Sequence, residues 1–201
     1  NYRHHAHKKI HEVLVDLLSI QKEIHKGIFA VMDGGVCGNG AGPRTMEPFK
    51  GNLILASEDQ VAIDALAARI MGFDPLKIDY IKIAHERGLG NGDIDQIEIV
   101  GMDKENLKNL NFETGRSPVV KWDQRIRKST MNIKWLHNIL FNSPIFKTFI
   151  FASEFYHDKL WYPTTGKKKI NEFKKTSWGK MFDEYDYGDF PEYKEVKDWD
   201  P

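Results

Sequence analysis

Between two short apolar runs, Ile28 to Met32 and Leu53 to Ala56, lies Asp33-Gly34-Gly35-Val36-Cys37-Gly38-Asn39-Gly40-Ala41-Gly42-Pro43-Arg44, with five glycines in the nine positions from 34 to 42. The runs read as buried strands, and the first ends on an acid and a glycine turn. In open α/β sheets ligands sit at such carboxyl ends. Glycine at this density lets the backbone take positive φ and come close to a ligand. Read as a loop, residues 34 to 42 offer successive amides for an anion, and Arg44 adds a planar donor for phosphate or carboxylate. The stretch is neither a Walker loop, since no Gly-Lys-Ser/Thr follows, nor a dinucleotide fingerprint. A purely structural turn is the competing reading; Asp33, Asn39 and Arg44 favour a ligand.

The next segment reads as a helix from Ser57-Glu58-Asp59-Gln60 to Met71. Ser57 is placed as N-cap with Gln60 completing a capping box, and Gly72 and Pro75 stop the helix. Val61, Ala62, Ile63, Ala65, Leu66, Ala67, Ala68 and Ile70 make it apolar on nearly every side, which isolates Asp64. A carboxylate there needs a cation, a metal or several donors. It serves either chemistry or a core ion pair with Arg44, Arg69 or His85. A further helix is expected over residues 78 to 87, with Ile78, Ile81, Ile83 and Ala84 inward, then a second glycine loop, Gly88-Leu89-Gly90-Asn91-Gly92, and a strand from Gln96 to Val100.

Residues 8 to 25 read as an amphipathic helix with Ile10, Val13, Leu14, Leu17, Leu18 and Ile20 on its apolar stripe. His4, His7 and His11 share one face of that helix if it is continuous; they are candidate ligands for a transition metal, or a solvated basic start. The opening Asn1-Tyr2-Arg3-His4-His5 has neither an initiator Met nor an apolar leader. It reads as the start of a fragment whose amino-terminal part, with strands that complete the sheet, lies elsewhere. Lys and Arg number 29 and so do Asp and Glu, a balance that argues against a nucleic-acid partner. The single cysteine, Cys37, excludes a disulfide framework or an all-cysteine iron–sulfur site within the chain and fits a reducing compartment.

Composition changes after about residue 102. Trp135, Leu136, Ile139, Phe141, Phe146, Phe149, Phe151, Phe155, Tyr156, Trp161 and Tyr162 crowd one segment, which Lys147 and Glu154 keep from being a membrane span. The rings either pack this extension onto the first domain or lie on a membrane surface or partner. A basic tail to Gly179 precedes an acidic end from Asp183 to Asp200.

Val31-Met32-Asp33 through Gly42-Pro43-Arg44, Ile54-Leu55-Ala56-Ser57-Glu58-Asp59-Gln60-Val61-Ala62-Ile63-Asp64-Ala65 and Ala84-His85-Glu86-Arg87-Gly88-Leu89-Gly90 together resemble the family called domain of unknown function 362. Phe155-Tyr156-His157-Asp158, Trp161-Tyr162-Pro163 and Thr176-Ser177-Trp178-Gly179 look like the carboxyl extension of longer members. The resemblance implies a further α/β portion before this chain and, in some members, fused ferredoxin-like cluster domains. It also implies an acid at position 39 in many members, where Asn39 keeps the hydrogen bonding and drops a charge.

The expectations are therefore an α/β fold, a layered sheet with flanking helices over residues 1 to 102, and a helical or irregular, aromatic-rich extension over residues 103 to 201 packing on it. The function expected is an enzyme domain binding a small anionic ligand, a phosphate or carboxylate, with a metal as a conceivable aid. Asp33 and Asp64 are the catalytic candidates; Gly38, Asn39, Gly40, Arg44, Asp59 and His85 are the ligand-binding ones. The alternative is a non-catalytic binding or redox-partner module with a ferredoxin-like partner. A cytoplasmic location is expected, with peripheral membrane contact through the aromatic segment.

Overall fold

A computed structural model describes residues 9–42, 44–102, 104, 107 and 109–184. The chain divides into two compact units, residues 1–116 and 117–201.

The first unit is mixed α/β. Helix α1 spans Ile10–Ile24, and strands β1, Ala30–Ala41, and β2, Thr45–Ser57, form an antiparallel hairpin. Helix α2, Gln60–Met71, and helix α3, Asp79–Glu86, follow, each trailed by a short 3-10 turn, at Pro75–Lys77 and Ile94–Gln96. The core is small: Val15, Val61, Ala65, Ala68, Ile81 and Ala84 bring α1, α2 and α3 together. At about 25 cal/mol per Å² such aliphatic burial is the main force holding three short helices in register.

The glycine-rich stretch is not a loop. It continues β1 to Ala41, and its register with β2 runs from Ala30–Ser57 to Ala41–Thr45 with one irregularity between Gly34 and Val36. The glycines serve close packing. A Cβ on Gly51 would collide with the carbonyl of Gly34, and one on Gly38 would sit 2.7 Å from the sulfur of Met46. Composition suggested conformational freedom; the cross-strand neighbours Leu53 and Met46 instead use the missing side chains as space. Nor are the strands buried, since Val31 is 66% and Ile54 73% exposed on one face of the hairpin.

Three further expectations change. On α1 the buried residue is Val15, with His11 and Leu18 on its side, while Leu14, Leu17 and Ile20 are exposed. The N-cap of α2 is Asp59, whose carboxylate accepts from the amides of Val61 and Ala62; Ser57 Oγ accepts from the Asp59 amide instead. Gln60 forms no capping box, because its side-chain amide reaches the Ile28 carbonyl at 2.9 Å. Residues 97–100 are no strand, and Val100 is 89% exposed. Gly72, at φ 98°, ends α2 as expected.

The first unit also continues past residue 102. The amides of Leu110 and Phe112 donate to the carbonyls of Ile70 and Met71, and Phe112 meets Phe49 edge-on at 5.3 Å. These backbone bonds, invisible in a polar composition, tie the segment to α2 and the hairpin.

The second unit is helical: α4 at Pro118–Thr130, α5 at Lys134–Asn142, α6 at Phe146–Glu154, a π-helical stretch at Phe155–Gly166, α7 at Lys167–Lys174 and α8 at Ser177–Glu184. Ser117 caps α4 through the Val120 amide, and Pro118 occupies its first turn, where the missing N–H costs nothing. The unit packs around Phe141, which is 5% exposed and is met by Phe146, Phe149 and His137. The guanidinium of Arg127 lies 4.1 Å over the Phe141 ring and bonds Asp123 at 2.7 Å. Arg127→Ala should destabilise this unit by about 1–2 kcal/mol, as a cation–π contact and a packed stem are lost together. A melt of the Arg127→Ala variant checks this, and no change in midpoint would refute it.

Candidate functional site

The expected convergence of Asp33, Arg44 and Asp64 does not occur. Asp33 sits in β1 opposite Ile54, on the face that exposes Val31, and its Oδ1 accepts from the Gly35 amide at 2.7 Å. Arg44 lies in the turn beyond Ala41, an exposed position. Most of a strand separates the two, roughly 25 Å at about 3.3 Å per residue. Gly38 and Gly40 pair with Pro48 and Met46, so they belong to the hairpin ladder rather than to a cradle of free amides.

Asn39 Oδ1 accepts from the Glu113 amide at 2.8 Å, and next to it Gly40 bridges Thr114, which fastens residues 113–114 beside β1. Asp59 and His85 are likewise taken up by structure. Beyond capping α2, Asp59 accepts from the Asn91 amide at 2.7 Å, and His85 Nδ1 accepts from Gly92 N at 3.2 Å. A Cβ on Gly90 would run into the Asp59 carboxylate, so glycine is required where the second glycine loop crosses it. Asp59→Ala should cost about 1–2 kcal/mol through the lost cap. Amide exchange at Val61, Ala62 and Asn91 should quicken with it; unchanged exchange at Asn91 would contradict the clasp.

Cys37 is no activated nucleophile. Burial, with the Asp33 carboxylate adding to it, pushes the thiol above its ordinary value, and Sγ donates to the Gly34 carbonyl at 3.5 Å. At neutral pH its alkylation by iodoacetamide should be several-fold slower than that of a free cysteine, because the thiolate is the nucleophile. A rate equal to that of the free amino acid would refute this.

Asp64 keeps its interest. It is half-buried on α2 between the buried Ile63 and Ala65. The group that acts on its protonation is none of Arg44, Arg69 or His85 but the phenol of Tyr80 on α3. Burial raises the carboxyl above the ordinary carboxylate range, and the Tyr80 phenol partly offsets this. The phenol itself is pushed up to about 12, by burial first and then by the Asp64 charge. The His11 ring of α1 lies nearly parallel to Tyr80, centroids 6.1 Å apart, and its buried Nδ1 has no hydrogen-bond partner among the described residues. Three helices thus bring a carboxylate, a phenol and an imidazole together.

Sequence reasoning missed Tyr80. The signal was its spacing of four from Ala84, the inward side of α3, matched on α1 by His11, Val15 and Leu18. His4 and His7 lie outside the described residues, and among those described no group of three or more His, Cys, Asp or Glu is placed to hold a metal ion.

The model of a family described as a domain of unknown function (DUF362) matches residues 1–69. Those residues, about a third of the chain, are similar to that family. The matched segment contains α1, the hairpin and nearly all of α2, with His11, Asp33, Asn39, Arg44, Asp59 and Asp64; Tyr80, His85 and the second unit lie beyond it. No curated protein and no solved structure matches the chain. Among the described residues no helix is long and apolar enough to cross a membrane.

Proposed function

We propose that the first unit is an enzyme domain that handles a proton on a small anionic molecule, a carboxylate or phosphate, at Asp64. The observation that carries this reading is the half-buried Asp64 carboxyl, raised by burial and lowered in part by the Tyr80 phenol, among the buried apolar residues of α2. Perturbed carboxyls with a specific partner concentrate at sites of proton transfer. Protonated, Asp64 donates a hydrogen bond to an anionic oxygen; ionised, it takes a proton back. Tyr80 keeps its own proton near neutrality, and the neighbouring His11 adds a nitrogen that no described residue satisfies.

The anion is assigned to this three-helix contact and not to β1, whose glycines are spent on pairing with β2. Titration of the whole chain with inorganic phosphate and with acetate, followed by amide chemical shifts, tests the reading. The expected result is a shift pattern centred on His11, Asp64 and Tyr80 that Asp64→Asn abolishes. Shifts confined to the turn around Arg44, or none with either anion, would overturn it.

A further inference from the structure

We infer that the first unit takes up an extended, uncharged strand of a partner polypeptide in the groove beside β2. The groove holds about 380 Å³. Its floor is α2, through Ala62, Ile63, Leu66 and Ile70, and its walls are residues 51–57 of β2 and residues 97–102. A strand that turned a face to the groove would contribute every second residue. Both walls contribute consecutive residues, so both present an edge.

The backbone decides what fits between two edges. Among the described residues β2 pairs with β1 alone, which leaves its far edge open. On the other wall Ile97 is extended, at φ −86° and ψ 125°, and the main chain of residues 98–101 has no hydrogen-bond partner among the described residues. An acyl chain or another apolar small molecule would fill the groove and leave those amides and carbonyls unpaired. An added strand satisfies both rows. From Leu53 to Ser57 the residues of β2 alternate between half-buried and exposed, beyond the irregularity in its register. That regular part is about 17 Å long at about 3.3 Å per residue, the length of an ordinary strand.

The lining sets the side chains of the guest. Leu53 and Leu55 are half-buried beside the aliphatic floor, so alternate residues of the guest are aliphatic on that side. Along both walls the only charged side chain is Glu98, which is exposed, so a charge in the guest finds no counterion there. The chain has no such strand to spare. Its extended aliphatic segments among the described residues, β1, β2 and residues 97–100, are already the hairpin and the walls, and a second copy offers only the same ones. Residues 1–8 and 185–201 contain no run of aliphatic residues in sequence. The guest therefore lies outside these 201 residues, on a partner.

Amide exchange of the full chain, followed by NMR with and without the peptide acetyl-Lys-Thr-Val-Thr-Val-Thr-Val-Lys-amide at about 1 mM, tests the inference. In the free chain the amides of residues 98–101 should exchange as fast as those of an open segment. With the peptide, they and the amides of Leu53 to Ser57 that face away from β1 should slow by about tenfold or more. The same peptide N-methylated at every threonine and valine cannot pair on either edge and should protect neither wall. Ile99→Pro removes an edge amide that no native bond uses, and should weaken the binding of the parent peptide on the order of tenfold. If that variant does not fold, the methylated peptide decides. No protection by the parent peptide, equal protection by the methylated one, or slow exchange at residues 98–101 in the free monomer overturns the inference. Protection that grows with chain concentration alone overturns it too, and makes a second copy the guest.

Discussion

Replacing Ile81 by Ala should destabilise the first unit by roughly 2–5 kcal/mol. Ile81 is 1% exposed, one of the two largest fully buried side chains, and belongs to the cluster with Val15, Val61, Ala65, Ala68 and Ala84. Three of the other five members of that cluster are alanines, which cannot reach across to close the space that the three lost carbons leave. The cost should therefore lie toward the upper end of the range. Urea unfolding followed by circular dichroism measures it, and a loss under about 1 kcal/mol would mean that α3 does not dock as described. Ile81→Val should cost only about 0.5–1.5 kcal/mol, which separates a cavity from a general intolerance of change.

Gly51→Val is the second large effect, on the order of 3 kcal/mol and accompanied by loss of the hairpin register. A Cβ at this position meets the Gly34 carbonyl, which is backbone and cannot rotate away, and lies 2.9 Å from the Cys37 sulfur. The strands must separate there. Cys37 should then become more reactive toward iodoacetamide, because the burial that raises its thiol is relieved. Gly27→Val is the control: no atom lies within 4 Å of a Cβ built there, and it should leave both stability and thiol reactivity nearly unchanged. Equal behaviour of the two variants would contradict the packing role given to Gly51.

Local signals in the sequence were read well where they depend on near neighbours. The span of α3, the stop of α2 at Gly72, the apolar runs inside β1 and β2 and the helical nature of the second unit all follow from spacing and capping chemistry. What failed depended on partners far along the chain. Glycines in β1 look like a loop until Leu53 and Met46 are placed across from them. Asp59 and Ser57 are two plausible caps two residues apart, and geometry gives the role to Asp59, which also holds Asn91. That Asp64 requires a polar partner was legible from burial physics alone; that Tyr80 supplies it was not, because sixteen positions and a change of helix intervene. Asn39, expected to touch a ligand, binds the chain at Glu113 for the same reason of distance in sequence.

The raised Asp64 carboxyl has a sign that stability measurements can read. A group whose folded value lies above its unfolded one is protonated more readily in the folded chain. Its favourable contribution is full below the ordinary carboxylate range and is lost as pH rises through the raised folded value. Asp64→Asn should flatten that part of the stability curve of the first unit.

The most direct test is a carbon-13 titration of the Asp64 carboxyl in the full chain, with Tyr80→Phe alongside. The account predicts a midpoint above the ordinary carboxylate range in the parent chain, and a higher one still in Tyr80→Phe, because the phenol holds the carboxyl down. An ordinary midpoint that Tyr80→Phe leaves unmoved would contradict it and remove Asp64 as the proton-handling group.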